Sequence, residues 1–276
     1  TVTDLAGNAA SCSFAVTIKD VTPPGISIGC ANVTDVVSGN GCSMVPGAIQ
    51  SPTLTDNCWA TASLTLSYTM TGATTGSGVG SVVGKTFNVG VTTVTYTVSD
   101  PDGLSSNCSF TVTIHSVIPP SISVGCVNVT DVVSGNGCSM TPGTIQAPTL
   151  TDNCHSTSSL TLTYTMTGAT TGAGVGSVVG KTFNVGVTTV TYTVSDPDGL
   201  SSSCTFTVTI LAATAPGISI GCANVTDTVS GNGCSMVPGT IQSPTLTDNC
   251  WATASLTLTY TMTGATTGSG VGSVVG

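Results

Sequence analysis

The chain of 276 residues is acidic, with a formal net charge of -9 from twelve Asp and three Lys and with neither Glu nor Arg. This balance speaks against nucleic-acid binding and against docking to anionic membranes, because both need clustered basic side chains. Few general acids or bases are available, since the two His stand at unrelated positions, so we expect no enzyme. No apolar run approaches the roughly 18–20 residues of a membrane helix, so we expect no membrane insertion.

The cysteines show that the chain is repetitive. They fall into four series whose members are 96 residues apart: Cys12, Cys108 and Cys204; Cys30, Cys126 and Cys222; Cys42, Cys138 and Cys234; Cys58, Cys154 and Cys250. Self-similarity at a fixed period marks tandem structural units, and this period is long enough for one small domain. We therefore predict the C-terminal strands of one domain in 1–19, complete domains in 20–115 and 116–211, and the first two-thirds of a further domain in 212–276.

The two partial repeats nearly add up to a whole one. Thr1 corresponds to Thr97 and Gly276 to Gly84, so only the counterpart of 85–96 is missing between them. Either the sequence is a window on a longer repetitive polypeptide, or the ends of neighbouring chains complete each other. No signal-peptide pattern opens the chain, and Thr1 begins within a strand pattern, so we expect the start of the gene product to lie upstream.

Short proline-containing linkers separate the repeats. They are marked by Pro23-Pro24, by Pro119-Pro120 and by Pro216. Proline fixes its own φ and biases the preceding residue towards extended conformations, so these linkers are predicted to be stiff.

Within each repeat, strands are predicted from apolar residues that alternate with Thr and Ser. In the first complete repeat this alternation covers residues 63–71, 93–99 and 108–114, and no window shows helical spacing. The Gly-rich tract 71–84, repeated at 167–180 and 263–276, has no GK[ST] motif for phosphate and is predicted to be a hairpin or edge segment. About seven short strands per repeat predict an all-β fold of tandem, immunoglobulin-like two-sheet sandwiches.

Four motifs in order resemble the hyalin repeat, an immunoglobulin-like module of extracellular proteins. They are PPGISIGC, TDNC, FNVGVTTVTYTVSDPDG and CSFTVTI, and the N-terminal TVTDLAGNAASCSFAVTI is similar to the ending of that family. The resemblance covers essentially the whole chain. It implies a β-sandwich related to the fibronectin type III fold, a use in adhesion and surface structures, and no catalytic residues. The complete repeats depart from the family in replacing DLAGNAA by DPDGLSS.

Four cysteines in each small repeat indicate an oxidising, extracellular compartment. Four cysteines permit three pairings. The resemblance implies that the first and last cysteines of a repeat bond each other and that the second and third cysteines do the same. The implied pairs are Cys30–Cys108 and Cys42–Cys58, with the equivalents Cys126–Cys204, Cys138–Cys154 and Cys234–Cys250.

Cys12 and Cys222 have no such partner in their own partial repeats. Two whole repeats separate them along the chain, so a direct bond within one extended chain is excluded by the short reach of a disulfide. Our hypothesis is that Cys12 of one chain or chain segment bonds Cys222 of its neighbour.

We expect no metal or other cofactor. Zinc lacks a ligand set, because the chain has no CxxC motif and no His recurs with the period. Asp100 and Asp102, like Asp196 and Asp198, could bind Ca²⁺, but they offer fewer oxygens than the roughly six to eight ligands that Ca²⁺ takes. A hairpin turn is therefore the preferred interpretation of these residues.

Each repeat carries one sequon for N-linked glycosylation. These sequons begin at Asn32, Asn128 and Asn224, and Asn107 begins a weaker fourth. Covalent glycans are thus an expected modification, although sequons also arise by chance in a chain that is nearly a third Thr and Ser.

The function that these features favour is that of a secreted or cell-surface structural protein. We expect a filament of identical subunits, or of adjoining segments of one long chain, extended head to tail with strand complementation across the ends. The alternative is an adhesin whose loops bind a glycan or a protein. Trp59 and Trp251, which His155 replaces in the middle repeat, are expected at the rim of such loops.

Overall fold

The computed structural model describes residues 1–239 and 241–274, and these residues form an all-β protein. The N-terminal segment contains β1 (Val2–Thr3) and β2 (Ala9–Ala10). The first complete repeat contains β3 (Gly25–Ile28), β4 (Val33–Val36), β5 (Ser43–Met44), β6 (Thr53–Thr55), β7 (Thr65–Gly72), β8 (Gly76–Val79), β9 (Phe87–Asn88), β10 (Gly90–Ser99) and β11 (Ser105–His115).

The second repeat has the same succession of elements. It contains β12 (Ser121–Val124), β13 (Val129–Val132), β14 (Ser139–Met140), β15 (Thr149–Thr151), β16 (Thr161–Gly168), β17 (Gly172–Val175), β18 (Phe183–Asn184), β19 (Gly186–Ser195) and β20 (Ser201–Leu211). The third repeat contributes β21 (Gly217–Ile220), β22 (Thr245–Thr247), β23 (Thr259–Met262) and β24 (Gly268–Val271). Single-turn 3-10 helices lie at Thr61–Ser63, Thr157–Ser159 and Thr253–Ser255.

The prediction of an all-β sandwich fold is confirmed. In the first repeat, β4, β11, β10, β7 and β8 form one sheet in that order, while β3 pairs with β6 and β5 pairs with β9. Neighbours in the larger sheet are antiparallel except β4 and β11, which are parallel. Each complete repeat has nine strands rather than the predicted seven, because strands as short as β5 and β9 have too few residues to show alternation.

The first of two compact units comprises residues 1–119, 152–156 and 197–200. Its core is built from the predicted alternation: Val94, Tyr96 and Val98 of β10 and Val112 and Ile114 of β11 have no exposed surface. The buried hydroxyl of Tyr96 accepts a hydrogen bond from the Val82 N–H at 3.0 Å. Apolar burial and this satisfied hydroxyl hold the sheet against the loop that carries Val82.

The second unit comprises residues 120–151, 157–196 and 201–276, apart from the undescribed positions. Its core repeats that of the first unit, with Val190, Tyr192 and Val194 of β19 and Val208 of β20 completely buried. The Tyr192 hydroxyl again accepts from a backbone N–H, that of Val178, at 3.0 Å.

The Gly-rich tract forms an edge, as predicted. β8, within residues 71–84, is the last strand of the larger sheet and pairs only with β7. The tract begins with a close backbone approach: Gly72 has φ +101°, and a Cβ there would lie 2.4 Å from the carbonyl oxygen of Val91. Of the third copy, 263–276, the last two residues lie outside the described part of the chain.

The partial repeats leave apolar side chains in solvent. Residues 11–20 form no strand, although they match β11 in sequence, and Phe14, Val16 and Ile18 are 86%, 73% and 90% exposed. Their counterparts in β11 are buried because β10 and β4 flank that strand. Ile218 and Ile220 of β21 are also about half exposed, at 53% and 47%. Across the described residues, no helix is both long and apolar enough to span a bilayer.

Candidate functional site

The disulfides between first and last cysteines lie inside the repeats. Cys30, which follows β3, bonds Cys108 of β11, and Cys126 bonds Cys204 of β20, each with a Cα–Cα distance of 6.2 Å. These are the pairs that the resemblance implies. Each bridge joins the segment that follows β3 or β12 to the equivalent long strand of the larger sheet, β11 or β20, and packs against the core.

The second and third cysteines pair differently from our expectation. Cys42 bonds Cys154, and Cys138 bonds Cys250, with Cα–Cα distances of 5.0 and 5.1 Å. Both bridges span 112 residues, so each joins the second cysteine of one repeat to the third cysteine of the next. The implied pairs Cys42–Cys58, Cys138–Cys154 and Cys234–Cys250 are therefore wrong.

The length of β10 explains why Cys42 and Cys58 do not meet. Cys42 lies beside the start of β10, since its carbonyl accepts from the Val89 N–H at 2.9 Å. Cys58 lies near the other end, because the next residue, Trp59, donates from its indole to Asp102 in the turn after β10. A strand of ten residues is about 33 Å long. A disulfide needs Cα atoms within roughly 7 Å, so this pairing is geometrically excluded.

The TDNC motif is the loop that presents the third cysteine. In the loop 152–156, which belongs to the first unit, Asp152 Oδ1 accepts from the N–H groups of Cys154 and His155 at 2.8 and 2.7 Å. The Asn153 amide donates to the carbonyl of Asn40 at 3.3 Å, next to Cys42. The Asp turn thus fixes the cysteine, and the asparagine binds the segment that carries its partner.

The same loop geometry recurs at Cys250. Asp248 Oδ1 accepts from the N–H groups of Cys250 and Trp251, both at 2.8 Å, and the Asn249 amide donates to the carbonyl of Asn136 at 3.1 Å. Two independent copies therefore define one register, in which second and third cysteines 112 residues apart are joined.

Four cysteines remain as exposed thiols: Cys12, Cys58, Cys222 and Cys234. In the two observed registers, every one of them would find its partner outside these 276 residues. The TDNC loop already prepares Cys58 for a bond, since Asp56 Oδ1 accepts from the Cys58 N–H at 2.8 Å. Loss of hydration and the neighbouring carboxylates, Asp20 foremost, raise the pKa of the Cys58 thiol.

The sequon residues are exposed. Asn32 and Asn128 each precede a strand of the larger sheet, β4 or β13, and their Oδ1 atoms accept from the N–H groups of Thr111 and Thr207 at 2.9 Å. Asn107 lies on β11, and Asn224 is exposed in the third repeat. At Asn32 and Asn128 these bonds use the oxygen, so the amide nitrogen is the atom left for glycan attachment.

The fold and its bridges define the class: a tandem, immunoglobulin-like β-sandwich protein whose repeats are stapled internally and cross-linked to one another. The HYR domain family model matches residues 19–114 and 117–210. The chain belongs to the HYR domain family.

Curated relatives extend this result. Hyalin of Strongylocentrotus purpuratus is 31% identical over 225 residues, covering 80% of this chain and 16% of that protein. Hyalin of Lytechinus variegatus is 30% identical over 231 residues, covering 81% of this chain and 38% of that protein. The chain thus spans well under half the length of either relative. A chain in the crystal structure of Dpr11 IG1 bound to DIP-gamma is 8% identical, with a TM-score of 0.40, over 69% of this chain and all of that one.

Proposed function

We propose that this protein is a structural, non-enzymatic component of an extracellular filament or surface fibre. The observation that carries the proposal is the repeated 112-residue bridge between the second and third cysteines of successive repeats. This 112-residue pairing can continue over any number of repeats. Each repeat has a second cysteine that can bond to the repeat after it and a third cysteine that can bond to the repeat before it. Such an open, head-to-tail contact builds fibres rather than closed oligomers.

The covalent bridges supply the mechanical function. Within a repeat, Cys30–Cys108 ties the segment after β3, which pairs with β6, to β11 of the larger sheet, so that these parts cannot separate while the bond is intact. Between repeats, Cys42–Cys154 adds a second covalent connection beside the proline linker. A pulling force on the fibre is then carried by two covalent paths at each junction.

At junctions outside these 276 residues, we propose that the adjoining repeat comes from a second copy or from the same long polypeptide. There Cys12 bonds Cys222 in the 78-residue register, and Cys58 bonds Cys234 in the 112-residue register. Phe14, Val16 and Ile18 are the apolar face that such a junction buries, as a donated strand, against a partial sandwich. The proposed domain boundaries are those of the repeats, 20–115 and 116–211.

The compartment of this assembly follows from its chemistry. Four disulfides persist in oxidising surroundings, which supports a secreted or cell-surface location. Exposed sequons at Asn32 and Asn128 support a glycan coat. The outer strand faces carry Thr and Ser with almost no Lys to block lateral pairing, so glycans are the feature that keeps neighbouring fibres apart.

Junction bonds can be tested in purified protein that has been oxidised at high concentration. We expect filaments by negative-stain electron microscopy and a ladder on a non-reducing gel that collapses on reduction. The double variant Cys12→Ser/Cys58→Ser should run as a monomer on that gel, because it removes both bonds at one end. The matched control Cys42→Ser/Cys154→Ser keeps the ladder. Filaments in which all four thiols react freely with a thiol reagent would contradict the proposal.

A recurring cleft favours the alternative of an adhesin. Clefts of about 350 and 320 Å³ lie beside Asn32 and Asn128, and one of about 380 Å³ lies beside Asn224. A saturable ligand on a glycan array, lost when Asn128 is replaced by Gln, would support this function.

A further inference from the structure

Three aspartates converge in the first unit, and together they form what we name the acidic cluster. Asp20 lies in the linker before β3, Asp56 in the TDNC loop after β6, and Asp100 in the turn after β10. One carboxylate oxygen of each lies within 4.8 Å of those of the other two. The cluster therefore brings together three segments that are far apart in sequence.

Each carboxylate of the acidic cluster is oriented by its own loop. Asp20 Oδ1 accepts from the Thr22 N–H at 2.9 Å, and Asp100 Oδ1 accepts from the Leu104 N–H at 2.8 Å. Asp56 Oδ1 accepts from the N–H groups of Cys58 and Trp59, at 2.8 and 2.7 Å. The backbone thus occupies one oxygen of each side chain and fixes the direction of the other.

The second oxygens are the unusual feature. The Oδ2 atoms of Asp20, Asp56 and Asp100 are all buried and have no hydrogen-bond partner. Asp100 as a whole is only 7% exposed. Two carboxylates of the described chain, Asp152 and Asp198, form ion pairs with His115 and His155, and no such pair involves Asp20, Asp56 or Asp100. Buried carboxylate oxygens are costly unless a hydrogen bond, a cation or a metal ion satisfies them.

A comparison within the chain shows that this type of turn does not by itself leave the second carboxylate oxygen of its aspartate without a hydrogen-bond partner. Asp4 stands at the position of Asp100 in the DLAGN form of the same turn, and there Asn8 donates from its amide to Asp4 Oδ2 at 2.8 Å. These hydrogen bonds from Asn8 lower the pKa of Asp4. In the complete repeat Leu104 replaces the asparagine, so the second oxygen of Asp100 has no local donor.

We propose that the acidic cluster binds a calcium ion. The donors are all carboxylate oxygens, the ligand type that Ca²⁺ takes at about 2.3–2.6 Å, and oxygens that lie within 4.8 Å of one another can contact one such ion. Mg²⁺ gives up its water reluctantly and is usually held by one or two carboxylates, so a site of three protein carboxylates suits Ca²⁺ better. Three carboxylates and water complete the coordination of the larger ion.

Asp102 is a positioning residue of this site. Its Oδ2 accepts from the Asp20 N–H at 3.0 Å and from the Trp59 indole at 3.2 Å, so it holds the linker over the turn. The sequence suggests only the two aspartates of the turn, Asp100 and Asp102, as Ca²⁺ ligands, and it gives no sign that Asp20 and Asp56 lie beside them. The following repeats have Ser116 and Ala212 at the position of Asp20, so this set of three aspartates belongs to one repeat of this chain.

Trp59 provides a local probe, because its indole lies beside the cluster and can sensitise Tb³⁺ luminescence. Chelator-treated protein titrated with Tb³⁺ should show sensitised emission that Ca²⁺ displaces and equimolar Mg²⁺ does not. Trp59→Phe should abolish the emission. The matched variant Trp251→Phe should retain it, since Ala212 replaces the linker aspartate near that residue. Emission that is lost in Trp251→Phe and kept in Trp59→Phe would overturn the proposal.

Affinity for Ca²⁺ itself is measured by calorimetry on the full chain. We expect a Kd on the order of 10⁻⁴–10⁻³ M, as in other extracellular modules, and at least about tenfold weaker binding in Asp100→Asn. Asp20→Asn removes one carboxylate of the cluster but keeps an Oδ1 that can accept from the Thr22 N–H. It therefore tests the site without changing the turn that carries Asp100. Asp35→Asn on β4 removes the same charge outside the cluster and should bind like the wild type. No calcium heat in the wild type, or equal losses in Asp20→Asn and Asp35→Asn, would refute the site.

Discussion

Replacing Cys154 by Ser lowers the free energy of unfolding of the oxidised chain by about 4–5 kcal/mol, whereas replacing Cys58 by Ser changes it by less than about 0.5 kcal/mol. The two residues occupy the same position of the same TDNC loop, but only Cys154 is bonded. Its bridge closes a loop of 112 residues, and the path through Cys30–Cys108 shortens that loop to roughly half. Both lengths give a chain-entropy contribution within the stated range.

Guanidinium unfolding under non-reducing conditions measures this difference. The double variant Cys42→Ser/Cys154→Ser controls for thiol exchange, because it removes the thiol that a single substitution would release. It should be as unstable as the single variant. If Cys58→Ser destabilises the protein as much as Cys154→Ser, the two loops have equivalent bonds and the inter-repeat register is wrong.

Replacing Gly72 by Ala should cost about 3–5 kcal/mol, which is enough to unfold much of the first repeat. The residue has φ +101°, and its new Cβ would lie 2.4 Å from the Val91 carbonyl oxygen. That oxygen accepts from the Ala73 N–H at 2.9 Å, so moving it away also weakens a hydrogen bond that anchors the Gly-rich tract. Steric overlap and strain therefore add at one position.

Gly84→Ala is the matched control for this substitution. Gly84 also has a positive φ, +77°, but a Cβ there meets no atom within 4 Å. Only the conformational strain of roughly 1–2 kcal/mol remains. Thermal unfolding of both variants separates the two causes. Equal melting temperatures for Gly72→Ala and Gly84→Ala would show that the backbone approach at Val91 is not tight.

The strands could be predicted from sequence because their alternation is a local property. Val94, Tyr96 and Val98 alternate with threonines, and all three are buried as that pattern requires. The segment 11–20 has the same pattern and forms no strand. Alternation shows which face of a strand would be buried. A strand also needs a neighbouring strand to pair with, and the sequence of the segment alone does not show whether one is present.

The disulfide register could not be predicted because the information is not local. Cys58 and Cys154 share one loop sequence, yet the first is free and the second is bonded to Cys42. What decides the pairing is the length of β10, which holds Cys42 and Cys58 at opposite ends. The spacing of 112 residues between second and third cysteines was visible, but it is one of several regular spacings in a periodic sequence.

The acidic cluster was missed for a related reason. Asp20, Asp56 and Asp100 are 36 and 44 residues apart, so the sequence presents only the pair Asp100 and Asp102 as neighbours. The strand order brings the linker, the TDNC loop and the turn after β10 to the same place. A ligand set distributed over three loops becomes visible only when the topology is known.

Non-reducing peptide mapping tests the inter-repeat register most directly. Cleavage before aspartate suits a chain with twelve Asp and three Lys, and it places Cys42 in 35–55, Cys58 in the fragment starting at Asp56, and Cys154 in 152–195. These fragments differ in mass. The account predicts a cross-linked species of 35–55 with 152–195 that separates on reduction. A species in which 35–55 is joined instead to the fragment carrying Cys58 would contradict it.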